Sequence, residues 1–146
     1  MKRFSRIICI ILILATVLST TAFAAETVEP RASNYFHSSS VYFWHVSGSQ
    51  YQIWFDVTAV AGMSELGASQ IIVERSTDLV NWSEDESYNK YSSPQMTTKQ
   101  TTAHYANYVT YFPATGYAYR AIVTLYAKNS SGYGEMDVVT ATLDLR

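Results

Sequence analysis

The chain has 146 residues, of which 15% are charged and 14% aromatic, with a formal net charge of -2. Such a balance argues against nucleic acid or an anionic membrane surface as a partner, since either would need a basic patch. Its single cysteine, Cys9, excludes a disulfide scaffold.

Residues 1–24 read as a secretory signal. Lys2, Arg3 and Arg6 form a basic start, residues 7–18 are an almost unbroken apolar run, and Ala22-Phe23-Ala24 places small residues before a cleavage point. The run is too short for a spanning helix. The expected product begins at Ala25, is secreted, and inserts in no membrane after cleavage. Cys9 leaves with the signal, lying away from the cleavage point and so unplaced for a lipid anchor. Seven of the ten basic residues then face all twelve acids, a net charge of about -5. Roughly 120 residues remain, enough for one core. Residues 25–36 are expected to form a flexible N-terminal segment, and residues 37–146 one domain.

Twelve tyrosines and three tryptophans accompany many Ser and Thr, a strand-favouring composition. In chain order the first strand falls at 41–46, with Tyr42 and Trp44 on one face; alternation alone does not decide which. Ser47-Gly48-Ser49-Gln50 is a hairpin turn. The clearest period of two follows at 51–59: Tyr51, Ile53, Phe55, Val57 and Ala59 fall on one face, and Gln52, Trp54, Asp56 and Thr58 on the other. Residues 61–68 carry two glycines and read as a loop. Strands are expected at 70–75 and 82–88, joined by a turn at 77–81. The polar stretch 89–102 reads as the least ordered of the mature chain after its start. Further strands fall at 105–112, 117–127 and 136–145, with a turn at 129–134. Seven strands and no long helical period predict an all-β antiparallel sandwich.

Two stretches carry a resemblance. Ile71-Ile72-Val73-Glu74-Arg75-Ser76-Thr77-Asp78 with Asn81-Trp82 is similar to the third strand and following turn of fibronectin type III domains. Gly116-Tyr117-Ala118-Tyr119-Arg120, continuing to Asn129-Ser130-Ser131-Gly132, is similar to their sixth strand and the turn after it. That resemblance implies an immunoglobulin- or fibronectin-like sandwich. It makes Tyr117 the tyrosine-corner residue, whose hydroxyl ties back to upstream backbone. The sixth strand runs about two residues longer than the family pattern, and the usual N-terminal proline and tryptophan signature is missing. The whole chain also resembles a group of small secreted proteins of Gram-positive bacteria. Neither resemblance supplies a catalytic residue.

Chemistry-bearing residues are sparse. His37, His45 and His104 lack metal-ligand spacing, and Glu84-Asp85-Glu86 lacks the spaced ligands and glycine of a calcium loop, so it reads as a solvated turn. Neither metal nor cofactor is expected. Asp56 and Glu74 are a conceivable acid–base pair, but a small sandwich offers little room for a cleft. No G-x-S-x-G or mature cysteine marks a nucleophile. The protein is therefore expected not to be an enzyme.

The aromatics are the better lead. Trp54, between Gln52 and Asp56, is out of phase with the core face of its strand, as Tyr126 and Arg120 are with theirs. An exposed ring beside amide and carboxylate groups suits stacking on a sugar or anchoring a protein. Trp82 is expected to pack at the sandwich edge. The sequence thus supports a non-catalytic module binding a glycan or an extracellular protein. Two other readings stand beside it: a subunit that assembles with itself through edge strands, and a small secreted hydrolase.

Overall fold

A computed structural model describes residues 34–146. The expected signal and its cleavage point lie outside the described residues. Among the described residues nine strands form two antiparallel sheets packed face to face, an all-β sandwich compatible with an immunoglobulin- or fibronectin-like fold. One sheet joins β1 (Phe36–Ser47), β2 (Gln50–Met63) and β6 (Thr102–Tyr111) in the order β1-β2-β6. The other is ordered β4-β3-β7-β8, from β3 (Glu65–Ser76), β4 (Ser83–Asn89), β7 (Ala118–Asn129) and β8 (Gly132–Val139). Two short pieces, β5 (Thr97–Thr98) and β9 (Leu143–Asp144), pair with β3 and β7.

Alternation sets the core. Ile53, Phe55, Val57 and Ala59 of β2 are buried, and face Ile71 and Val73 of β3 and Ala121, Val123 and Leu125 of β7 across one apolar cluster. Each of these larger aliphatic or aromatic side chains contributes about 1.5–3 kcal/mol by leaving water. Phe36, assigned by the sequence to the flexible segment, instead opens β1 and is buried.

The seven expected strands all form, but their bounds move in several places: β1 already opens at Phe36, and β8 starts at Gly132, inside the expected turn. Residues 61–68 are strand rather than loop, with only Ser64 between β2 and β3. Its backbone N–H and Oγ both donate to the carbonyl of Lys128, at 2.8 and 3.0 Å, pinning the crossing from one sheet to the other. The polar stretch after β4 is ordered by Met96, fully buried at the end of a single 3-10 turn, Pro94–Met96. The last strand splits at Thr140. Its N–H donates to the Ala121 carbonyl and its Oγ1 accepts the Ala121 N–H, both at 2.9 Å, replacing a ladder pair with a side chain.

The backbone tie expected of Tyr117 is made by another tyrosine. Tyr119, not Tyr117, donates its hydroxyl to the Ala114 carbonyl at 2.9 Å. Both tyrosines are in phase with the core face, but Tyr119 is fully buried and its hydroxyl needs a partner. Tyr117 is half-buried, with the Arg75 guanidinium 4.9 Å from its ring centre. Glu84-Asp85-Glu86 lies in β4 instead of a turn. Asp85 there accepts the Tyr111 hydroxyl and pairs with Arg75 at 2.9 Å, closing one sandwich edge.

This edge carries a pH dependence. Burial raises the phenols of Tyr111, Tyr88 and Tyr119, with carboxylates of β4 adding to the effect. The fold therefore favours their neutral forms. Their stabilising contribution is complete below the unfolded tyrosine pKa of about 10 and is lost as pH rises above it. Urea midpoints should fall steeply above about pH 10. Tyr111→Phe should flatten that alkaline limb, and an unchanged slope would contradict the assignment.

Candidate binding face

The register of β1, β2 and β6 builds one continuous outer face. Tyr42 pairs with Trp54, and Trp54 with Tyr108, so three aromatic residues form a row across three strands. Neighbouring strands lie 4.7–4.9 Å apart, so the row spans about 10 Å. In the next row Trp44 stands opposite Gln52, and Gln52 opposite Thr110. The register thus decides what alternation left open: Tyr42 and Trp44 share the outer face with Trp54.

Exposure grades across this face. Trp44 is 58% exposed and Tyr42 42%, whereas Trp54 and Tyr108 are half-buried. The cause is their mutual contact, ring centres 4.8 Å apart at 41°. The indole N–H of Trp54 donates to Gln52 Oε1 at 2.9 Å, which fixes the ring's orientation. One row further, Asp56 Oδ1 lies 3.0 Å from His104 Nε2. The face therefore has two held rings, on β2 and β6, two more open rings along β1, and a polar border of Gln52, Asp56 and His104. His104 and Tyr108 were not singled out for this role by the sequence; period-two spacing within β6 places both on one face, but only the pairing with β2 brings them to Trp54.

Two expected binding residues belong elsewhere. Tyr126 and Arg120 lie on β7, whose outer face is on the opposite side of the sandwich from Trp54, Gln52 and Asp56. Tyr126 is only 7% exposed, contrary to its expected exposure. The Lys90 ammonium sits 3.5 Å from its ring centre, and Tyr133 stacks on it at 5.9 Å, so side chains from a neighbouring loop and strand cover it. Arg120 is committed to Glu74, at 2.6 Å, and lies 4.4 Å from the ring centre of Trp82. Trp82 is half-buried beneath it and donates its N–H to the Leu79 carbonyl at 3.2 Å.

The carboxylates considered for acid–base work are separated by the same topology. Asp56 faces outward from one sheet and Glu74 from the other, with the core between them. Sheets in a sandwich lie about 10 Å apart, and these side chains diverge from that spacing. Among the described residues no group of three or more His, Cys, Asp or Glu side chains is placed to hold a metal ion. The chain matches no family model, no curated protein and no solved structure.

Proposed function

We propose that the protein is a secreted, non-catalytic binding module whose outer β1-β2-β6 face takes a neutral sugar chain. The observation carrying this reading is the cross-strand row of Tyr42, Trp54 and Tyr108 with Trp44 beside it. A pyranose ring has an apolar C–H face that stacks on the negative face of an aromatic ring, while its hydroxyls seek amide and carboxylate partners. Gln52 and Asp56 border that row on the same face and supply groups of this kind. The secretory signal read in residues 1–24, and the resemblance to small secreted proteins of Gram-positive bacteria, fit a ligand met outside the cell. No cofactor is needed for this role.

The test is a titration of the processed chain with neutral polysaccharides, read by tryptophan fluorescence. A saturable shift that survives raised salt is expected, because uncharged ligands are not screened. No response to any neutral polysaccharide would remove the proposal and favour an extracellular protein as ligand. Self-assembly is the second reading. It is favoured by β1, a 12-residue edge strand paired only with β2 among the described residues. A solution mass that rises with concentration would support it.

A further inference from the structure

The cations of the described residues are unevenly committed. All three arginines have acidic partners: Arg75 with Asp85, Arg120 with Glu74, and Arg146 with Asp144. Lys90 is paired with Glu65 at 3.4 Å. Lys99 and Lys128 alone have neither an ion pair nor a side-chain hydrogen bond among the described residues, and they line the same recess. That recess, of about 430 Å³, also includes Lys90, so every lysine of residues 34–146 gathers there against the single carboxylate of Glu65.

The recess is held by backbone and not by loose side chains alone. Gly67 of β3 lets the chain at Met96–Thr97 cross in close contact, forming one wall. Lys90 is fixed through its N–H, which donates to the Ser69 carbonyl at 3.0 Å. Asn89 Oδ1 accepts the next two backbone N–H groups, from Tyr91 and Ser92, both at 3.0 Å. Partial burial would lower the Lys90 ammonium, but Glu65 and Tyr126 outweigh it and hold its pKa above the ordinary value, so it stays charged. Tyr91, 85% exposed, overhangs this recess and an adjoining one of about 550 Å³ that Tyr133 lines from the far side.

We infer that this recess, on the sheet opposite the Trp54 face, is a second site that binds an acidic sugar, its carboxylate or phosphate meeting Lys99 and Lys128 and its ring stacking on Tyr91. Lysine supplies a point charge that accepts either oxyanion, so the recess selects for charge and for a ring rather than for one acid. In a chain of net negative charge, two uncompensated cations beside an exposed ring form a local exception to the surface field.

The experiment is a set of titrations of the processed chain with polygalacturonate, phosphomannan, polyglutamate and neutral dextran at low and high salt. Saturable, salt-sensitive binding of polygalacturonate or phosphomannan is expected, and whichever binds identifies the oxyanion. The Lys99→Gln/Lys128→Gln double variant should weaken it about tenfold, Tyr91→Ala should weaken it further, and Arg146→Gln and Trp54→Ala should leave it unchanged. Binding of neither acidic polysaccharide would overturn the inference, as would equal losses with Arg146→Gln. Polyglutamate binding as tight as the sugars and indifferent to Tyr91→Ala would assign the recess to acidic peptides instead. Because Trp54 lies on the other sheet, failure here and failure of the neutral-sugar face are separately visible.

Discussion

Gly67→Ala is expected to destabilise the fold by about 3 kcal/mol or more, lowering Tm by on the order of 10–20 °C. Two costs coincide at this position. Its φ of +150° is one that L side chains rarely adopt, and a Cβ there would stand 2.1 Å from the Met96 carbonyl oxygen and 2.8 Å from Thr97 Cα. Both obstacles are backbone, so no rotamer change relieves them. The segment that would have to retreat carries Met96, fully buried in the core, and β5, which pairs with β3 at this residue. Gly48→Ala is the natural comparison. It shares a positive φ, +55°, but a Cβ there meets nothing within 4 Å. Its cost should be only the conformational one, about 1–2 kcal/mol. Thermal melts of the two variants separate strain from collision. Equal losses would mean that the Met96–Thr97 crossing does not hold the fold as described.

Trp54→Ala is expected to weaken neutral-sugar binding by about 2 kcal/mol, roughly thirtyfold in Kd. Trp54 is the centre of the row, held by Tyr108 on one side and by Gln52 through its indole N–H. A ring already oriented loses little entropy when it stacks, which is why it should dominate over the more open Tyr42 and Trp44. Trp44→Ala should cost less, about 1 kcal/mol, and Trp82→Ala nothing, because Trp82 packs under Arg120. Isothermal titration with the polysaccharide that gives the largest fluorescence response measures all three. If Trp82→Ala abolishes binding and Trp54→Ala does not, the face has been assigned to the wrong sheet.

What the sequence made legible is what period two encodes. The strict alternation from Tyr51 to Ala59 placed the core side of β2 and left Trp54 on the other side, as the structure has it. Tyr117 and Tyr119 share one phase of the strand expected at 117–127, so alternation could not choose between them; β7 itself begins at Ala118. The choice depends on how deep each hydroxyl lies. Tyr126 is out of phase with the core and yet buried, because Lys90 and Tyr133 cover it. Such cover is set by strand neighbours distant in sequence, which no local pattern reports. The grouping of three lysines around Glu65 is of the same kind. So is the separation of Trp54, Gln52 and Asp56 from Tyr126 and Arg120, which share chemistry but lie on different sheets. The ordering of residues 89–102 escaped for another reason: one buried Met96 anchors a segment whose composition is otherwise polar.

The three tryptophans make the central claim directly measurable. Trp44 and Trp54 lie on the β1-β2-β6 face, whereas Trp82, just ahead of β4, packs against Arg120 of the other sheet. Their indole N–H resonances should be followed by two-dimensional NMR during titration of the processed chain with a neutral polysaccharide. Shifts of the Trp44 and Trp54 signals, saturating together while Trp82 stays fixed, are the predicted result. Saturable binding that moves Trp82 and leaves Trp44 and Trp54 in place would contradict it.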